Sequence, residues 1–316
     1  MLIETARSPA RLCILLALYD GEAYLEEQLD SYLNQGFSDW SLLVSDDGST
    51  DSSLAILHRF AERTPDHDVR VLRGPGTSFS GNFLHLLRQV SSEHEFVALS
   101  DQDDVWYPEK LQRAVTRLAD VPADVPCLYA ARTRVCDVAL RPLGLSREFS
   151  RAPSFRNALV QSIGGGNTMV LNRAAVMLAK RALVATERVV AHDWWLYQLV
   201  SGAGGTVLYD PAPALDYRQH GGNLIGENRS LSAAWLRLAG ILGGRFRSWN
   251  EINAEALAVA RPLLTSEARK VIENYAAARQ APTPFARLRG LRASGVWRQG
   301  RLGTAALHVA CLLRLL

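Results

Sequence analysis

Nowhere does this sequence reach the roughly 18 to 20 uninterrupted apolar residues that a membrane-spanning helix requires. Nor does it open with a secretory signal: Arg7 and Arg11 precede only the short apolar run at 12–18, and no small-residue cleavage site follows. These two absences predict a protein that stays in the cytoplasm. Cysteine is scarce as well. Cys13, Cys127, Cys136 and Cys311 show no CxxC spacing and lie among apolar neighbours, which predicts buried free thiols and argues against a disulfide scaffold or a zinc cluster. There is no internal repeat and no low-complexity segment, so neither a repeat array nor a disordered chain is expected.

What is present suits a globular protein: 316 residues, 48% of them apolar, enough for a full α/β core with an appendage. The net charge of +3 hides two unequal parts. Residues 1–230 carry 22 Lys and Arg against 28 Asp and Glu, a net of −6, while residues 231–316 carry 13 against 4, a net of +9. From residue 282 to the end there are six Arg and no acid, interleaved with Leu302, Leu307, Val309, Leu312, Leu313 and Leu315. That pattern predicts a helical, basic C-terminal extension over 231–316 whose tail docks on an anionic membrane face. The bland alternative is a helix packed on the first domain with its basic face in water. No nucleic-acid motif accompanies the arginines, so nucleic acid is not an expected partner.

The run at 12–18 lacks alternation, as befits a strand buried on both faces of a parallel sheet. Leu25, Leu29, Tyr32 and Leu33 then fall at helical spacing behind acidic residues, which predicts a helix over 22–35. A strand at 41–45 runs into Asp46-Asp47-Gly48-Ser49-Thr50-Asp51, and Leu54, Leu57 and Phe60 mark the next helix, capped by a Ser, Thr or Asp before it. Strands are expected at 69–72 and 95–100 with a helix at 79–90 between them, and Pro108 suits the first turn of another helix. Beyond residue 120 the pattern loosens. Strands are expected at 127–135, 168–171 and 205–209 and helices at 174–183 and 193–201, while Gly164-Gly165-Gly166 requires a flexible or closely approached backbone. Strands alternating with helices over short connections specify an α/β domain over 1–230. It has a Rossmann-like, mainly parallel sheet flanked by helices, with ligands beyond the carboxyl ends of the strands.

Two acidic clusters follow directly on strands and should open onto one crevice. In Ser100-Asp101-Gln102-Asp103-Asp104-Val105-Trp106, three carboxylates within four residues repel one another, and a buried strand end is a costly place for them unless a cation lies between. Mg2+ and Mn2+ favour oxygen ligands and reach a site through one or two carboxylates plus substrate phosphates, so a metal-bound diphosphate is the natural occupant. Taken alone, this run also fits a solvated acidic turn. Asp46-Asp47-Gly48 likewise fits a helix-capping loop with a glycine turn. Capping explains Ser49, Thr50 or Asp51 but not two further consecutive acids. Paired at the mouth of one sheet, the clusters favour a nucleotide site.

The order Ala17-Leu18-Tyr19-Asp20-Gly21, Asp46-Asp47-Gly48-Ser49-Thr50-Asp51 and Asp101-Gln102-Asp103-Asp104-Val105-Trp106 resembles the family 2 glycosyltransferases of GT-A fold, over residues 11–220. The resemblance implies that Leu18, Tyr19, Asp20, Asp46 and Asp47 hold the base and ribose of a nucleotide-sugar donor. It implies too that Asp101 and Asp103 bind the donor diphosphate and a divalent cation, Mg2+ or Mn2+. Many members have Pro-Thr-Tyr-Asn where this chain has Ala17-Leu18-Tyr19-Asp20, which keeps the Tyr. In Ala191-His192-Asp193-Trp194-Trp195, Asp193 falls where the family places the base that deprotonates the acceptor hydroxyl; its other reading is a helix cap. In Tyr217-Arg218-Gln219-His220-Gly221-Gly222-Asn223, His220 resembles a family His that reaches the metal or diphosphate, although a lone His is more often a surface or core residue.

By the same resemblance, Gly165, Gly166 and Asn167, with Trp194 and Trp195, line the acceptor side. The Asp-Gln-Asp-Asp-Val-Trp, His-Asp-Trp-Trp and Tyr-Arg-Gln-His runs are most similar to rhamnosyltransferase-type members. This implies inverting transfer of L-rhamnose from dTDP-L-rhamnose to a cell-surface glycan or lipid-linked acceptor; with the basic tail, it predicts an enzyme peripheral to the inner face of the cytoplasmic membrane. A hexosyl or galactofuranosyl donor is the alternative. A nucleotidyltransferase would carry a Gly-rich basic loop after the first strand, and Tyr19-Asp20-Gly21-Glu22 has no basic residue. A catalytically silent nucleotide- or carbohydrate-binding module would have no reason to retain every acidic group.

Overall fold

In a computed structural model, which describes residues 11–220 and 245–316, the unalternated apolar run becomes β1 (Leu12–Leu18). Cys13 and Leu15 enter the core on one face of the sheet, and Leu12, Ile14, Leu16 and Leu18 enter the core on the other. A strand covered on both sides has no wet face to alternate with, hence the continuous run. The chain continues through α1 (Leu25–Leu33), β2 (Trp40–Asp46), α2 (Ser53–Arg63), β3 (Val69–Arg73), α3 (Phe79–Gln89) and β4 (Phe96–Ser100). Leu25, Leu29 and Tyr32 of α1 are buried, as their spacing requires. At the start of α2 it is Asp51 that accepts from the Ser53 N–H, at 2.9 Å.

The second half of the domain consists of β5 (Val105–Trp106), α4 (Lys110–Ala119), β6 (Cys127–Cys136), β7 (Pro142–Leu145), the single turn α5 (Phe155–Ala158), β8 (Val170–Asn172), α6 (Arg173–Leu183), α7 (His192–Gly202) and β9 (Thr206–Arg218). Pro108 stands just ahead of α4, whose N-cap is Glu109, and not inside its first turn. Strand order is β3-β2-β1-β4-β8-β6-β9-β5, with β7 paired to β6. The sheet is parallel from β3 to β4, the half that carries both acidic clusters. It is mixed beyond, where β8 runs antiparallel to β4 and β6, and β6 is parallel to β9. Leu18 lies level with Asp46 and Leu16 with Ser100, so the loops after β1, β2 and β4 leave the sheet at one rim. That rim is where α/β sheets bind ligands.

Four further helices, α8 (Arg245–Val259), α9 (Ser266–Gln280), α10 (Pro284–Ser294) and α11 (Arg301–Leu312), form the C-terminal part. Their Leu257, Val271, Leu291, Leu307 and Cys311 belong to the same buried cluster as Leu87, Leu178 and Leu199 of α3, α6 and α7. The boundary expected at residue 230 lies outside the described residues. All four cysteines are free and buried. Among the described residues no helix is long and apolar enough to cross a membrane.

Candidate active site

The three loops at the rim are tied together by short polar side chains. Gln102 pairs with Tyr19 in both directions: the Tyr19 N–H donates to Oε1 at 2.8 Å, and Nε2 donates to the Tyr19 carbonyl at 2.9 Å. Gly21 lies against the same amide, and a Cβ there would come within 2.9 Å of Gln102 Cδ. Asp20, in the left-handed region at φ 43°, accepts from the Thr50 N–H at 2.7 Å, while its own N–H donates to Ser49 Oγ at 2.9 Å. Asp46 is buried and accepts from the N–H groups of Gly48 and Ser49, each at 3.2 Å. Its carboxylate thereby shapes the turn in which Gly48 takes a φ of 95°. Asp47 accepts from the Gly76 N–H at 2.9 Å. Tyr19 is 58% exposed. Leu18 requires a correction: it continues the inward series of Leu12, Ile14 and Leu16, so its side chain is in the core, and its carbonyl accepts from the Asp47 N–H at 2.9 Å. It frames the crevice without facing it.

The three carboxylates after β4 have separate surroundings. Asp103 Oδ2 lies 2.6 Å from His220 Nε2. Asp104 is buried and accepts from Asn167 Nδ2 at 2.6 Å, while its own N–H donates to Gln28 Oε1 at 3.0 Å. Lys110, with no solvent access, donates to the Asn167 carbonyl at 2.7 Å and sits over the Trp106 ring, 2.9 Å from its centroid. Asp104, Lys110 and Asn167 thus clamp the acidic loop to the segment that follows the three glycines. Burial drives the Lys110 amine well below its ordinary range, and the Asp104 and Asp101 charges oppose that. Asp104 is pushed well up, by burial first and then by Asp103 and Asp101. Asp101 is pushed up to about 7 by burial, then by the charges of Asp103 and Asp193, against the pull of Lys110. Carboxylates crowded this closely offer the hard oxygen donors that suit a divalent cation. Among the described residues no group of three or more His, Cys, Asp or Glu side chains is arranged to hold a metal ion.

Helix α7 starts from Ala191, which makes no side-chain cap bond, so Asp193 is not the cap. It stands in the first turn, and its Oδ1 accepts from the Trp194 N–H at 2.6 Å. Burial pushes its carboxyl up to about 6, opposed by the backbone N–H groups of Trp194, Asp193 and Gly166. The Gly166 backbone lies on one side of Asp193, and on the other its charge is felt by Asp101, so the two carboxyls are near one another. Beneath it His192 is buried, stacked on Phe83 at 3.8 Å, and held neutral down to about 3 by desolvation. A Cβ on Gly166 would fall 2.1 Å from His192 Nε2, so that position has no room for a side chain.

Of the expected acceptor-side residues, Gly165 is exposed, whereas Gly166 and Asn167 are buried. Trp194 and Trp195 do not line the site: they are 6% and 0% exposed and belong to the core. Nine of the eleven α7 residues are buried, so the helix has no face on which an indole could meet an acceptor. Gln102, Lys110 and Arg218 carry no site signal in the sequence. A Lys on an amphipathic helix reads as a solvent-facing residue, and a Gln between two Asp carries no signal of its own.

A model described as "Glycosyl transferase family 2" matches residues 13–177. The dTDP-rhamnosyl transferase RfbG of Shigella flexneri is 30% identical over 255 residues, which is 77% of this chain and 84% of that protein. The crystal structure of S. aureus TarS 1-349 in complex with UDP-GlcNAc matches with a TM-score of 0.51 and 16% identity, over 91% of this chain and 93% of that one. The mannosyltransferase PcManGT from Pyrobaculum calidifontis, in complex with GDP-Man and Mn2+, matches with a TM-score of 0.51 and 18% identity, over 98% and 86%. At such identities these two structures speak for the GT-A fold alone.

Proposed function

Because the chain belongs to glycosyltransferase family 2, we propose that it transfers L-rhamnose from dTDP-L-rhamnose to a hydroxyl of a cell-surface glycan or lipid-linked acceptor, with inversion and with a divalent cation bound. Membership itself carries the coarser statement, a glycosyltransferase that uses a nucleotide-sugar donor. The choice of rhamnose rests on the similarity to RfbG across most of its length. The choice of a cation rests on the crowding of Asp101, Asp103 and Asp193, and PcManGT in its complex holds Mn2+.

In this reading Tyr19, Asp20 and Asp47 position the nucleotide, on loops shaped by Leu18 and Asp46. Asp101 and Asp103, with His220 beside Asp103, would hold the cation; bound there, it offsets the charge of the nucleotide diphosphate. Asp193 takes the proton of the acceptor hydroxyl as that oxygen attacks the anomeric carbon, whose bond to the diphosphate oxygen breaks so that the nucleotide diphosphate leaves; a carboxyl with raised proton affinity suits a general base working near neutral pH. Gly165, without a side chain, leaves the acceptor approach open. The clamp of Lys110, Asp104 and Asn167 keeps that segment and the acidic loop in register. We also infer peripheral docking on an anionic membrane through α11 and its C-cap, where Leu302, Val309 and Leu313 are exposed.

One observation carries the reading: two carboxyls of raised proton affinity, Asp101 following β4 and Asp193 from α7, lie near enough that the Asp193 charge helps to raise Asp101. Thermal unfolding with dTDP-L-rhamnose, UDP-GlcNAc and GDP-mannose, each with and without Mn2+, tests it, since a ligand bound only by the native state raises the melting temperature. dTDP-L-rhamnose with Mn2+ should give the largest shift. A larger shift from another sugar nucleotide would reassign the donor, and no shift from any would remove the nucleotide-sugar reading.

A further inference from the structure

Arg218 ends β9 with a guanidinium that is only 2% exposed. A buried cation is costly unless its donors are matched. Here Nε donates to the Asp103 carbonyl at 3.1 Å, Nη1 donates to the Val138 carbonyl at 2.6 Å, and Nη2 pairs with the Glu27 carboxylate. The Tyr24 ring covers the guanidinium at 4.5 Å. On its other contact, Tyr24 packs against the His220 ring, with centroids 5.2 Å apart and planes inclined by 33°.

We propose that Arg218 is a positioning residue that, with Tyr24, presets Asp103 and His220 to receive the cation of the donor complex. The inference rests on the reading of Asp101 and Asp103 as cation and diphosphate ligands. The side chain joins four segments: the first turn of α1, the acidic loop, the turn after β6, and the end of β9. By gripping the backbone carbonyl of Asp103 it leaves the carboxylate of that residue free to meet His220 at 2.6 Å. Tyr24 fixes the imidazole from the other side. Only a planar fork with donors diverging in the plane can hold Asp103, Val138 and Glu27 together; a single ammonium cannot reach all three.

A merely structural Arg218 would weaken nucleotide binding with and without the cation alike, whereas a positioning residue acts on the cation-dependent part. Full-length wild type, Arg218→Lys and Tyr24→Leu are titrated calorimetrically with dTDP, and with UDP and GDP in parallel, in Mn2+ and in EDTA. In Arg218→Lys the gain in affinity that Mn2+ gives the wild type should fall by about ten- to a hundredfold, the range set by losing a hydrogen bond to a charged group. Binding in EDTA should stay near wild type, while the melting temperature falls, because part of the buried donor set is lost. Tyr24→Leu, at a partly exposed position, should show the same selective loss to a smaller degree, and it carries the test should Arg218→Lys not fold. An unchanged Mn2+ gain overturns the proposal, and so does an equal loss in Mn2+ and EDTA. A wild type that binds nucleotide with no Mn2+ gain overturns the cation reading beneath it, a failure visible from the wild-type titration alone.

Discussion

A carboxylate in the first turn of a helix is ordinarily favoured in its charged form by the helix dipole, yet burial holds the Asp193 carboxyl up to about 6. Desolvation outweighs the dipole and the backbone donors together, which leaves a base of useful strength. Asp193→Asn keeps the shape and removes the proton acceptor, so turnover should fall at least about a hundredfold, while donor affinity by calorimetry stays near wild type. Near-normal turnover would contradict the assignment. The pH dependence has a defined sign. The native value lies above the ordinary 3.8, so the folded state holds this proton more tightly, and between about 4 and 6 Asp193 subtracts stability as pH rises. Relative to wild type, Asp193→Asn should therefore melt higher at pH 7.5 than at pH 4. Calorimetric scans that show no such pH-dependent difference would place the carboxyl in water. At this scale the sequence exposed the acids and hid their partners. Asp101 and Asp103 declare themselves by charge density, but nothing in the order of residues tells that Leu18, Trp194 and Trp195 turn into the core or that Lys110 is buried beside Asp104.

Elements were legible where they carry period, and lost where they break it. The first seven, from β1 to β4, follow from apolar runs and helical spacing, whereas β9 extends to Arg218, well past the stretch expected at 205–209. Pro211 and Pro213 interrupt its pattern, and the strand accommodates them by register shifts opposite Ala131 and Arg132 of β6. β5 has two residues and β7 four, too short for any pattern to emerge. The C-terminal helices were legible as helices but not as part of the core. Residues 294–300 grip the segment leading to the glycines: Gln299 Nε2 donates to the Arg151 carbonyl at 2.8 Å, its N–H donates to Gln161 Oε1 at 2.8 Å, and Asn157 Nδ2 donates to the Trp297 carbonyl at 3.0 Å. From the other side, α7 holds the same segment through Trp194 Nε1, which donates to the Ala158 carbonyl at 2.6 Å. A chain ending at residue 281 loses these bonds and uncovers the core that Leu291, Leu307 and Cys311 close. Each large apolar side chain so removed costs on the order of 2 to 5 kcal/mol. The truncated protein should lack a cooperative melting transition by circular dichroism, and a wild-type-like transition would show the extension to be separable.

At the scale of the whole molecule, the membrane question turns on which basic and apolar groups remain after the core has taken its share. Arg287 is buried and donates to the carbonyls of Ala281, Pro282 and Leu312, and Arg298 donates to the Val160 carbonyl at 3.0 Å, so these two arginines serve the fold. Arg289, Arg292, Arg301 and Arg314 are exposed. Leu307 likewise faces inward, while Leu302, Ala306, Val309 and Leu313 stand exposed at helical spacing along one side of α11. An apolar stripe with basic flanks and no acid after residue 281 is the pattern of a helix lying in a bilayer surface, each arginine adding ~1 kcal/mol near anionic lipid. Because truncation would disturb the core, the test uses a surface variant of the full chain: Leu302→Glu, Val309→Glu and Leu313→Glu combined. The wild type should sediment with phosphatidylglycerol vesicles and not with phosphatidylcholine vesicles. Binding should weaken in 1 M salt, where the Debye length shrinks to about 3 Å. The triple variant should stay in the supernatant with its melting temperature preserved, since all three side chains already face water. Equal sedimentation of variant and wild type would refute the membrane reading and leave α11 as a packed helix with a solvated basic face.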